Sequence, residues 1–234
     1  MKEIKLAKGA HPAPFDESGA ATMCVQEYVS YLAGEPHSDS PKCVSPMLTA
    51  FMVAFNDALD DETRQRLRPY AVRQIGTKGD GQDEVRSYIA LDWIIRTCTP
   101  AFLAAAGLTE EADKLRGLAT IKGLEQAQAA GLHVNAAEAA ARAAARAATR
   151  AAARAAAWAA TGAAVRDAAW DAAEAAIEAA VWNAARDTLE STVKMLQESA
   201  FTLLDQMIDP AGLHDTEDEA EVLSRCGREP LVSS

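Results

Sequence analysis

Between Ala136 and Ala185, thirty of fifty residues are alanine. No other feature of the chain constrains its fold as strongly. Alanine is the best helix former and loses no side-chain entropy in a helix, so the stretch selects helix over sheet. Large side chains recur every fourth residue: Glu138, Arg142, Arg146, Arg150, Arg154 and Trp158, then Arg166, Trp170, Glu174, Glu178, Trp182, Arg186 and Glu190. At about 3.6 residues per turn, each step of four rotates the stripe by about 40°. From Glu138 to Arg154 it drifts about 160°, so one straight helix cannot hold it on one face. Thr161-Gly162 is the natural break, because glycine costs about 1 kcal/mol against alanine in a helix. The pattern predicts two helices packed antiparallel, with Trp158, Trp170 and Trp182 as the few large plugs. Asn135 with Glu138 resembles a capping box, and Asp209-Pro210 blocks continuation.

The remainder of the chain also reads as helix. Hydrophobic residues are 49% of the chain but aromatics only 6%, so a core must be built from sparse large side chains. Met1 to Glu17 reads as loose. A helix fits Ser18 to Leu32, ended by Gly34 and Pro36. Ser45 caps a second helix with Pro46 at its first position, where a missing N–H costs nothing. Asp60 or Asp61 caps a short helix to Leu67. Asp83 to Cys98, apolar on all sides, reads as a central buried helix. Thr99-Pro100 restarts a short helix ending at Gly107, and Thr109 begins one stopped by Gly131. The expected fold is an all-α multi-helix bundle with a long Ala-rich helical region, broken near Gly162. Its expected parts are a flexible N-terminus (1–17), a helical domain (18–132), an Ala-rich region packed on it (133–210) and an acidic mobile tail (211–234).

The net charge of -11 opposes phosphate backbones and anionic lipids overall. No apolar run approaches the roughly 18 residues of a membrane span, and no signal-peptide pattern is present, which predicts a cytoplasmic protein. Four cysteines in 234 residues do not make a disulfide scaffold.

Several residue groups could carry chemistry. Cys24, His37 and Cys43, with Asp39 nearby, have the ligand types of a zinc site but irregular spacing; the alternative is buried thiols and a loop histidine. Glu27 lies mid-helix among apolar residues; if buried it would need a partner and have a raised pKa, as a general acid or base does. Glu35 is the second catalytic candidate, and Tyr28, His37 and Asp39 are candidate ligand-binding residues. Gly76 to Gly81 has phosphate-cradle residue types without P-loop order, and reads as a connector. Arg142, Arg146, Arg150 and Arg154 could touch phosphates, against the alternative of solvated arginines paired to neighbouring acids. Leu189, Val193, Leu196, Leu203 and Met207 form an a/d seam that would suit a second copy or the chain's own core. No HExxH or EF-hand loop is present, and the sequence assigns no cofactor.

Met23-Cys24-Val25-Gln26-Glu27, then Ala33-Gly34-Glu35-Pro36, Asp39-Ser40-Pro41-Lys42-Cys43 and Ser45-Pro46, with Asn56-Asp57-Ala58-Leu59 and Ile75-Gly76-Thr77, make up a recurring pattern. Over roughly residues 20–108 the chain resembles a family of uncharacterised proteins from actinobacteria and their phages. The resemblance implies a lineage and no reaction, and it marks Cys24, Glu27, Glu35, Asp39 and Cys43 as the matching positions. The leading expectation is a non-enzymatic helical factor that binds another protein, for example a phage accessory that alters a recombinase or a host factor. The alternatives are a small-molecule or metal site, or an enzyme, in the Cys24–Cys43 region, and weak nucleic-acid binding through the arginine stripe. Convergence of Glu27, Glu35, His37, Asp39 and Cys43 on one cavity would put the second reading first.

Overall fold

The computed structural model describes residues 4–12, 21–162 and 168–212; side chains at 145, 148–149, 151–162 and 168–186 are outside the described set. The chain is mostly helical, as its composition predicts. It divides into two compact units, one of Met1–Ile89 with Thr202–Ser234 and one of Ala90–Phe201.

The first unit begins with an element the sequence reading missed. Ile4–Leu6 (β1) pairs in parallel with Ala21–Met23 (β2), Ile4 opposite Ala21 and Leu6 opposite Met23. Ile4 and Leu6 are buried, so this part of the N-terminus is fixed. The Gln65 side chain completes the edge of β1. Its Oε1 accepts the Leu6 N–H at 3.0 Å and its Nε2 donates to the Leu6 carbonyl at 2.8 Å. The first helix, Val25–Leu32 (α1), is therefore shorter than expected, because residues 21–23 are spent on the strand. A Schellman turn ends it: Gly34 has φ +72°, and the Glu35 N–H reaches the Ser30 carbonyl at 2.9 Å. Pro46–Ala58 (α2) starts on Ser45, whose hydroxyl accepts from the Met47 and Leu48 amides. Asp60 caps Asp61–Arg64 (α3), which continues through a 3₁₀ turn into Arg68–Arg73 (α4). The buried Arg64 turns back on the end of α2 and donates to the carbonyls of Asn56 and Leu59. Leu6, Met23, Val29, Leu48, Met52, Leu67, Leu204 and Met207 are buried in this unit.

Asp83–Trp93 (α5) and a π-helical turn at Ile94–Cys98 replace the expected single helix. Pro100 explains the turn. It has no N–H for the Arg96 carbonyl, and its ring crowds that carbonyl, so the ladder widens and the Thr99 N–H bonds to Ile94. The expected central burial of this segment is corrected: Val85 and Ile94 are 43% and 48% exposed, and the fully buried side chain of α5 is Arg86.

In the second unit, Thr99–Ala105 (α6) ends at Gly107, as expected, and Thr109–Arg116 (α7) ends at Gly117. Leu124–Gly162 (α8) then runs through both Gly131, the expected stop, and Asn135, the expected start. The helix formers from Leu124 to Ala130 and the alanines from Ala136 on outweigh the roughly 1 kcal/mol cost of one glycine. The expected boundary at 132/133 thus falls inside a helix. Ala168–Ile208 (α9) follows, and the expected break near Gly162 falls where residues 163–167 lie outside the described residues. Residues 13–20 and the tail from 213 on lie outside the described residues, as do the side chains of Arg154, Trp158, Trp170 and Trp182. Within the second unit, Trp93 Nε1 donates to Ser199 Oγ of α9 at 2.7 Å, and Asp92 accepts the Ile121 N–H at 2.8 Å.

Candidate functional site

The start of α1 sets the geometry around Glu27. Cys24 is the N-cap; its Sγ accepts the Glu27 N–H at 3.4 Å, while Glu27 Oε2 accepts the Cys24 N–H at 2.7 Å. This is a capping box with a thiol in the usual hydroxyl position. The carboxylate is 1% exposed and takes two more donors from the segment after β1. The His11 N–H reaches Oε1 at 2.6 Å and His11 Nδ1 reaches Oε2 at 2.9 Å. His37, from the loop after α1, places Nε2 3.5 Å from Oε1 and donates to the His11 carbonyl at 2.8 Å. Both rings therefore hold a proton on the bonded nitrogen, and His37 Nδ1 is buried without a partner among the described residues.

Burial by itself would raise the Glu27 pKa. The His11 and Cys24 amides and the His11 ring overcome it and hold the carboxyl below its ordinary range. This corrects the raised value expected of a buried glutamate: the group is a weak base with its lone pairs engaged, and it fastens three segments together.

Glu35 belongs to a different cluster. Its oxygens accept the Lys42 N–H at 2.6 Å and the Cys43 N–H at 2.9 Å, closing the loop between α1 and α2. The Cys43 carbonyl accepts in turn from Gly76 and Lys78 of the glycine loop, each at 3.1 Å. Burial, then the Glu35 carboxylate, pushes the Cys43 thiol up to about 12. Burial likewise pushes Cys24 to about 12. Neither is a thiolate near neutral pH. Asp39 is exposed. Tyr28 is wholly buried, with the Arg68 guanidinium 5.4 Å above its ring, so it cannot meet a ligand from solvent. The five matching positions thus separate into two hydrogen-bonded clusters and one surface side chain. Among the described residues no three His, Cys, Asp or Glu side chains are placed to hold a metal ion, so Cys24, His37 and Cys43 do not form the considered site.

The a/d seam of α9 is also divided. Leu196, Leu203 and Met207 are buried in the chain's own core, while Leu189 and Val193 are exposed at 50% and 37%. A dimer seam through all five is corrected accordingly, since three are already covered. No described helix is long and apolar enough to cross a membrane.

The second unit holds an open groove of about 540 Å³. Cys98, Thr99, Phe102, Leu103, Ala106 and Leu108 form one wall, and Ala141 and Ala144 of α8 form the other. Phe102 is 43% exposed, and Cys98 and Thr99 sit where the π turn passes into α6. π turns are concentrated at functional sites.

No family model matches the chain, and neither a curated protein nor a solved structure matches it.

Sequence reasoning missed His11 and the groove. His11 sits in a stretch read as loose, sixteen residues from Glu27, and nothing local announces the pairing. For the groove a signal existed: Pro100 within a helical pattern implies a disturbed ladder, and Phe102 follows it by two residues.

Proposed function

We propose that this chain is a non-enzymatic helical protein that acts by binding another protein. The apolar groove of the second unit carries this reading. A concavity of this size, with the Phe102 ring left partly in water, is apolar surface that a partner's side chain would cover. The groove fits a bulky aliphatic or aromatic anchor of the partner, because its lining offers one hydroxyl and one protonated thiol as its polar side chains. The Glu27 cluster supports the same reading, since its carboxylate is engaged in holding segments together. The resemblance to actinobacterial and phage proteins suits an accessory or regulatory role.

Affinity capture with the wild-type chain and with Phe102→Asp tests it. The expected result is a protein retained by the first and lost by the second at equal thermal stability. Equal recovery by both chains, or recovery of nothing, counts against it. The groove volume also lies in the range of about 300–1,000 Å³ typical of small-molecule sites. A saturable thermal shift with an uncharged aliphatic ligand, abolished by Phe102→Asp, would favour that second reading.

A further inference from the structure

α8 has a second face that the groove does not use. Between Glu138 and Asp167 the only charged residues are five arginines, at 142, 146, 150, 154 and 166, in a chain of net charge -11. Arg142, Arg146 and Arg150 are exposed. Arg142 pairs with Glu138 at 2.5 Å, and Arg150 Nε donates to the Arg146 carbonyl at 3.1 Å. Neither Arg146 nor Arg150 has a carboxylate partner among the described residues. Of the three described arginines of the stripe, Arg142 is the one paired to an acid, and Arg154 lies outside the described side chains.

Helix geometry puts the three on one side. At about 100° per residue they fall within an arc of about 80°, spaced about 6 Å apart along the axis. The groove-lining Ala141 and Ala144 lie about 140° and about 160° from the centre of that arc, on the opposite side of α8. The long-range repulsion from the chain's net charge is screened beyond about 10 Å at 0.1 M salt, whereas a contact between guanidinium and phosphate is not.

We infer that the Arg142–Arg146–Arg150 face of α8 binds the phosphate backbone of double-stranded DNA without reading its sequence. A linear array of guanidinium groups, two of them without a carboxylate partner among the described residues, matches a linear array of phosphates, and nothing on this face is shaped to read bases. An anionic membrane fits less well. From Ala139 to Ala157 the residues between the arginines are alanine and one threonine, without the Trp, Phe or Leu that an interfacial helix buries. The inference is independent of the groove, and either can fail alone.

Anisotropy of a fluorescein-labelled duplex of mixed sequence, titrated with the full chain, tests it. Three phosphate contacts give a slope of log K against log salt of about -2.7, a loss of about 40-fold between about 50 and 200 mM. The triple variant R142Q/R146Q/R150Q is expected to lose the binding with its helical circular dichroism intact. The corresponding triple lysine variant is expected to keep the binding and the salt slope. Three results would each overturn the inference: no binding at about 50 mM salt or below, undiminished binding by the glutamine variant, or binding to phosphatidylserine vesicles without binding to DNA.

Discussion

The Arg86 guanidinium, without exposed surface, donates from Nε to the main-chain carbonyl of Met207 at 2.8 Å. Met207 lies in the last turn of α9, where carbonyls have no helical donor. The same guanidinium takes both oxygens of Asp80, at 2.8 and 2.5 Å, and approaches Asp83 at 3.4 Å. Burial would lower its pKa, but the two carboxylates outweigh that and hold it above the usual value. One buried cation thus ties the glycine loop and the start of α5 to the end of α9. Breaking a buried pair from one side costs about 3–5 kcal/mol when the partner left behind stays desolvated, but Asp80 and Asp83 are 28% and 47% exposed and can rehydrate. Arg86→Met is expected to lower stability by about 1–3 kcal/mol, through the Met207 carbonyl left without its donor, read as the midpoint of urea unfolding. An unchanged midpoint would show that the clamp contributes nothing.

Glu27 makes a pH-dependent contribution. Its folded pKa lies below the unfolded value, so the stabilisation is fully present above the ordinary carboxyl range, near pH 4.3, and is lost as pH falls through the folded value. Glu27→Gln leaves either the Cys24 or the His11 amide facing an NH₂ group, since the two reach different oxygens, and is expected to cost about 1–3 kcal/mol at pH 7. The stability difference between wild type and variant should narrow as the pH falls below about 4. A difference independent of pH would mean that the charge plays no part.

The thiols should be inert in the folded chain. With Cys24 and Cys43 near pKa 12, about one thiol in ten thousand is ionised at pH 8, and the thiolate is the species that reacts. Iodoacetamide at that pH should leave both unlabelled in the native protein and label both in urea, as resolved by peptide mass mapping. Fast native labelling of Cys24 would contradict the burial described here.

Gly131 sits inside α8 at a helical φ, and a Cβ placed on it meets nothing within 4 Å. Gly131→Ala is expected to stabilise the chain by about 0.5–1 kcal/mol. Gly76, at φ +89°, should behave in the opposite way, since an L side chain is strained there. Thermal melts of the two variants should move in opposite directions; a fall for Gly131→Ala would mean that α8 gains from its glycine.

Much of the helical layout was legible from single residues. Ser45 and Asp60 cap as their hydroxyl and carboxylate allow, and Gly34 and Gly107 end helices because they tolerate positive φ. The β1–β2 pair was not legible, because a three-residue parallel pairing across the segment from 7 to 20 has no local signature. The buried helix expected over Asp83 to Cys98 failed for a related reason: apolar residues on every face do not say which face finds a partner.

Local chemistry acts within a few residues, so the alphabet of this chain determined by itself that it is helical and where several of its helices begin or stop, as at Ser45, Asp60 and Gly107. Long-range pairing has no such local cause. Only the tertiary structure decided that His11 meets Glu27 and that Arg86 closes on Met207. Each of these depends on which distant groups burial brings together, and that is a property of the packed whole.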